Sequence, residues 1–200
     1  MESRIQMQRM ILVPIMVLIV ASAMCINSHT YTYTYSTSSG LNELTEEQEK
    51  EIREMIFERI NEIRRQNGIP PFKYNLTLEK AAQMHADDMA RRNYFSHESP
   101  EGENFMDRLA KAGYRPRSFS DGKSETIVYG GENLFFYGGK GNVESIVTEA
   151  IKGWMNSKGH RENRLRKEFA LTGIGVAFSN NCTYEDKSFT FCVYIVEMFG

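Results

Sequence analysis

Apolar side chains recur along this chain with two different periods, and the change of period divides it into elements. After Thr45 and its acidic followers, Ile52, Ile56, Ile60 and Ile63 fall at helical spacing until Gly68 and the Pro70-Pro71 pair end the pattern. A second helix is expected from about Thr77, with Leu78, Ala82, His85 and Met89 on one face. Phe105, Leu109 and Ala112 predict a short third helix closed by Gly113. The clearest helical stripe is Val143, Ile146, Val147, Ala150, Ile151 and Trp154. Gly159 is placed to terminate that helix in a left-handed conformation, so His160 is expected to open the next segment.

Between the helices the period falls to two. Ile127 to Tyr129 and Leu134 to Tyr137 flank Gly130-Gly131-Glu132, where the backbone can approach another element and a carboxylate projects. "TGIGVAFS" puts Ile174, Val176 and Phe178 on one face and Gly173, Gly175 and Ala177 on the other, a small face suited to close contact. The final run "SFTFCVYIVEMF" is apolar on both faces, which predicts a sheet covered on both sides by helices.

The N-terminus follows other rules. Arg4 and Arg9 precede the apolar run "ILVPIMVLIVASAMCI", with Leu12 to Val20 as the hydrophobic core of an export signal and Ala23 as its cleavage residue. The run reaches Ile26, near the lower limit of about 17 residues for a spanning helix, so an uncleaved anchor is the alternative to a cleaved signal. Residues 24–40 hold the hydroxyl-rich "NSHTYTYTYSTSSG", read as an exposed tether in which His29 is a solvated linker histidine; the alternation of Tyr31, Tyr33 and Tyr35 also suits a strand. The domain proper is expected over 41–200.

Composition and cysteines refine this picture. The 24 Lys and Arg are interspersed among 26 Asp and Glu, so no basic stripe tracks a phosphate backbone and nucleic acid is not an expected partner. Cys182 and Cys192 bracket "TYEDKSFTF", a polar turn between strand-like runs, so they are expected to face each other across a hairpin and pair in an oxidising compartment. Cys25 is the odd one, lost or left free according to where the signal is cut. Asn75 and Asn181 head glycosylation sequons that matter only in a host that glycosylates.

Five segments occur in one order and spacing: "RINEIRRQNGIPPFKYNLTLEKAAQMHADDMA", "FSHESPEG", "GGENL", "GWMNSKGHRENRL" and the terminal "GIGVAF" with "VYIVEMFG". Together they resemble the CAP superfamily, or SCP domain, the group of cysteine-rich secretory proteins, venom allergens, plant pathogenesis-related proteins and many prokaryotic exported proteins. "SKGHRENRL" is most similar to the prokaryotic branch, and two paired cysteines are unlike the many disulfides of the animal and plant branches. The resemblance covers about residues 41 to 200. It implies an α+β fold, a three-layer α-β-α sandwich with a small, mainly antiparallel sheet. It also implies a cleft gathering His97, Glu132 and His160, with Ser157 where relatives carry a second glutamate.

That set defines the candidate chemistry. Two imidazoles and a carboxylate could fill three positions of zinc or another divalent metal and leave one for water, although Ser157 removes negative charge and an imidazole partner. No organic cofactor is expected. The leading expectation is a non-catalytic extracellular binding module whose cleft (His97, Glu132, Ser157, His160) takes a lipid, sterol or protein ligand. One alternative is a hydrolase of the cell envelope, metal-dependent or with His160 as base toward Ser157 and Glu132 orienting a histidine. Another is a structural or adhesive envelope protein. The chain is expected to be secreted, or tethered outside the cytoplasmic membrane through the N-terminal segment if that is not cleaved. His85 is expected to be a core histidine with one satisfied nitrogen, and Trp154 a core residue.

Overall fold

The computed structural model of the chain describes residues 41, 43–120 and 122–200; the signal and the tether lie outside them. Three long helices form where the stripes predict: α1 (Glu46–Gln66), α2 (Leu76–Arg92) and, after the short α3 (Phe105–Ala112), α4 (Val143–Asn156). Side-chain caps set the starts. Thr45 and Gln48 form a reciprocal capping box at α1, as do Asn104 with Asp107 at α3 and Asn142 with Ser145 at α4. Helix α2 starts at Leu76 because Asn75 Oδ1 accepts from the backbone N–H groups of Thr77 and Leu78, at 2.9 and 3.0 Å.

The end of α4 corrects one expectation. Ser157, not Gly159, breaks the helix, with an extended backbone (φ −84°, ψ 125°), and Gly159 lies inside a further helix, α5 (Lys158–Leu165). His160 therefore sits in the first turn of α5, its backbone held in helical geometry.

The main sheet contains β1 (Lys73–Tyr74), β5 (Leu171–Ser179), β8 (Cys192–Phe199) and β4 (Gly131–Gly138), in the order β1-β5-β8-β4. Only the β1–β5 pair is parallel. Two separate hairpins complete the fold: β2 (Arg117–Ser120) with β3 (Glu125–Val128), and β6 (Cys182–Tyr184) with β7 (Lys187–Phe189). Strand β8 is central and buried throughout, which is why its sequence is apolar on both faces. Val193, Ile195 and Phe199 join Ile174 and Val176 under α1 and α4, while Tyr194, Val196 and Met198 join Ala177 under α2. This is the expected α-β-α sandwich.

The small face of β5 explains how closely α2 sits. A Cβ on Gly173 would collide with the backbone of Leu78 and Glu79, and one on Gly175 with the backbone of Ala82 and Gln83. Helix α2 answers with Ala81, Ala82 and Ala86, all fully buried. Because β1 is only two residues long, the outer edge of β5 would be open beyond Thr172. The Gln83 amide closes it, donating to Val176 O (2.7 Å) and accepting from Val176 N (3.1 Å).

The disulfide forms between the expected cysteines by a different route. Glu185 and Asp186 both take left-handed backbone angles, giving a two-residue turn that pairs Cys182 with Phe189 instead of with Cys192. Cys192 instead begins β8, opposite Gly138 and Ser179. The Cys182–Cys192 bond, with Cα atoms 6.4 Å apart, thus ties the base of the β6–β7 hairpin to the central strand. Buried polar residues were the other departure from the apolar stripes. Arg64 lies in the core and donates to the carbonyls of Pro70, Arg164, Arg166 and Phe169, and Arg164 pairs with Glu197 at 2.7 Å.

Candidate functional site

Three of the four expected cleft residues arrive from separate elements. His97 follows α2 on an irregular segment, Glu132 is the second residue of β4, and His160 lies in α5. Asparagines beside them fix the last two relative to each other: Asn133 Nδ2 donates to His160 O (3.0 Å), and Asn163 Nδ2 donates to Asn133 Oδ1 (2.9 Å). The paired "GEN" and "REN" sequences thereby dock α5 on β4.

Glu132 is the centre of the arrangement. Its side chain is 1% exposed, and its Oε1 lies 2.8 Å from His97 Nδ1. Its Oε2 accepts from an Arg108 guanidinium nitrogen at 2.8 Å, and the same nitrogen donates to His97 O at 2.7 Å. Arg108, itself buried, also donates to Glu103 O. Glu132 is thus neither a surface nor a capping residue but a buried, charge-compensated anchor for the His97 segment. A carboxylate only accepts, so His97 Nδ1 donates this bond, and in the neutral ring the lone pair is then on Nε2. The His97 side chain is 57% exposed, although its partner Glu132 is buried.

Arg108 was missed by sequence reasoning, yet its signal was present. It occupies the i+3 position of the Phe105, Leu109, Ala112 stripe, where a charged residue has to be buried with a partner. His85 behaves as expected. It is 1% exposed and its Nε2 lies 2.9 Å from Ser96 O. Burial holds its pKa below the ordinary imidazole value despite Glu132, whose Oε2 is 3.9 Å away, so the neutral ring donates to the carbonyl.

His160 is half-buried, and burial first, then the charge His97 carries when protonated and the charge of Arg164, lowers its pKa as well. It lines a cleft of about 410 Å³ with Phe95, Ser96, His97, Glu98 and Leu134. Glu132, buried behind His97, and Ser157, the junction of α4 and α5, are not among those lining residues, and among the described residues Ser157 makes no hydrogen bond to His160. Trp154 is in the core: it is 1% exposed, donates from Nε1 to Leu134 O at 2.7 Å, and lies under the Arg164 guanidinium.

The donor set fits a divalent metal only in part. The Glu132 carboxylate is occupied by Arg108 and His97, and among the described residues no group of three or more His, Cys, Asp or Glu side chains gathers as a metal site. Two imidazoles remain, with Glu132 behind His97 as its hydrogen-bond partner.

Relatives and solved structures agree with this architecture. The chain is 31% identical to the Bacillus subtilis protein YkwD over 126 residues, covering 63% of this chain and 42% of YkwD. It is 28% identical to the Bacillus subtilis membrane protein YlbC over 121 residues, covering 60% and 30%. It therefore spans less than half the length of these curated relatives. An extracellular protein containing an SCP domain from Bacillus anthracis superposes with a TM-score of 0.55 at 27% identity, over 78% of this chain and 43% of that one. An outer surface protein from Borrelia burgdorferi shares the fold, with a TM-score of 0.54 at 17% identity over 80% and 97%. Among the described residues no helix is long and apolar enough to cross a membrane. The model of the cysteine-rich secretory protein (CAP) family matches residues 57–196, and the chain belongs to that family, in its bacterial form.

Proposed function

We propose that this CAP domain works outside the cell as a binding module, without catalysis of its own, and that its ligand enters the cleft between His97 and His160. One observation carries this reading: the Glu132 carboxylate is buried and taken up by Arg108 and His97, which leaves it unable to ligate a metal or activate water, while the cleft offers imidazoles beside the apolar surfaces of Phe95 and Leu134. Such a lining suits an amphiphile, a lipid or sterol with a polar head, or an apolar side chain of a protein partner. The Ser157 and His160 pair lacks the nucleophile-to-base hydrogen bond on which serine hydrolysis rests.

A divalent transition metal such as zinc would be held by His97 and His160 alone, and when bound it would supply a Lewis-acidic anchor for a ligand oxygen. Two protein ligands give weak binding, and because only a neutral imidazole coordinates, acidification weakens it further. The test is titration of the purified protein, and of His97→Ala and His160→Ala, with zinc by calorimetry and with fatty acid and sterol probes by fluorescence. Both substitutions should weaken at least one of these ligands. Equal titrations in all three proteins, or ester hydrolysis abolished by Ser157→Ala, would overturn the proposal.

A further inference from the structure

The segment that carries His97, anchored on β4 by Glu132 and by the Phe95–Phe136 contact, is held a second time from outside the main sandwich. Asn93, the left-handed cap of α2, forms a reciprocal pair with the β6–β7 hairpin: its Nδ2 donates to Thr183 Oγ1 (3.0 Å) and its Oδ1 accepts from Thr183 N (2.9 Å). Two residues on, the Phe95 ring, which lines the cleft, meets the edge of Tyr184 at 5.5 Å between centroids. Tyr184 in turn stacks on Phe136 of β4 at 4.8 Å, and Phe189, opposite Cys182 at the base of the hairpin, packs on the same ring at 5.8 Å. The hairpin strands are three residues each and pair only with one another, too little to hold a fixed place alone. To these contacts the Cys182–Cys192 bond adds a covalent tie to the start of β8, with both cysteines fully buried.

We propose that the β6–β7 hairpin is a disulfide-locked clamp that positions the Phe95 to His97 wall of the cleft, making the cleft's binding competence conditional on the Cys182–Cys192 bond. Tyr184 and Asn93 are its positioning residues. This rests on the reading of the cleft as the binding site. In the reverse direction, a small dithiol supplies two electrons and two protons: one of its thiolates attacks a cysteine sulfur, its second thiol closes the dithiol's own disulfide, and Cys182 and Cys192 leave as thiols. The pairing of β8 to β4 and β5 along its whole length is made by backbone bonds that do not run through this disulfide.

The experiment uses the full chain in its oxidised form, with Cys182→Ser/Cys192→Ser, Tyr184→Ala, Tyr184→Phe and His97→Ala. Three quantities are read: the proton and carbon shifts of the His97 and His85 rings at one fixed pH, zinc affinity, and melting temperature. Tyr184→Ala and the double serine variant should move the His97 ring signals while leaving those of buried His85 in place, and weaken zinc by about tenfold, the size seen when groups that orient a ligand are lost. Tyr184→Phe, which keeps the ring, should match wild type. If the double serine variant fails to fold, Tyr184→Ala against Tyr184→Phe decides. His97 signals unchanged in Tyr184→Ala would overturn the clamp. Zinc binding absent from wild type together with shifted His97 signals would instead retain the clamp and remove the metal from the proposed function.

Discussion

Replacing Arg108 by methionine should be the most damaging single change at the site that leaves the volume of the core nearly intact. Arg108 is 3% exposed and makes three contacts that methionine cannot: to Glu132 Oε2, to His97 O and to Glu103 O, all at 2.7 to 2.8 Å. Its loss leaves a carboxylate buried to 1% exposure with His97 as its hydrogen-bond partner and the neutral His85 ring 3.9 Å away, and two carbonyls without their donor. Breaking a buried pair by removing one partner costs about 3–5 kcal/mol, because the surviving charge stays desolvated. An exposed pair such as Arg65 with Glu62 should contribute less than about 1 kcal/mol, so Arg65→Met serves as the control. Urea unfolding at neutral pH can be followed through Trp154, the single tryptophan. Glu132→Gln completes a double-mutant cycle: the double variant should lose less than the sum of the singles, by about 0.5–3 kcal/mol. A loss of under 1 kcal/mol for Arg108→Met, or strict additivity in the cycle, would refute the reading of Glu132 as a charge-compensated anchor.

Trp154→Ala should lower stability by about 3–5 kcal/mol in the same assay read by circular dichroism, and a variant of unchanged melting temperature that has lost ligand would place Trp154 in the site instead. Gly175→Val should prevent folding or displace α2 altogether, since the Cβ position is filled by α2 backbone; soluble protein with a wild-type melting temperature would show that the helix can retreat cheaply. Below pH 6.5 the unfolded chain protonates His85 while the folded one resists, so the unfolded state binds the extra proton and stability falls as pH drops, by at most about 1.4 kcal/mol per pH unit for this group. His85→Gln should flatten that acid limb, and an unaltered pH dependence would mean that His85 does not contribute to it.

The sequence by itself determined the parts of this protein that are periodic or local. Ile52, Ile56 and Ile60, the stripe ending at Trp154, the caps at Thr45 and Gly113, and the all-apolar β8 were readable because each follows from side-chain direction in a helix or strand, which depends only on spacing. The small face of β5 was readable for the same reason. Five motifs in register carried the family. What the tertiary structure decided is how groups far apart in the chain satisfy one another. Glu132 is an anchor because Arg108, 24 residues earlier, reaches it inside a water-excluded layer, and nothing in the spacing of "GGENL" states whether that carboxylate will be free. The end of α4 moved from Gly159 to Ser157 because α5 packs on β4 through Asn133 and Asn163, a contact that outweighs glycine's preference for ending helices. The two cysteines were paired correctly but not placed correctly, since the left-handed Glu185-Asp186 turn sets the hairpin register and the disulfide then has to reach across to β8. Burial lowers the cost of none of these polar contacts in advance; it makes each of them obligatory once the layers close, and only the closed layers show which partner is within reach.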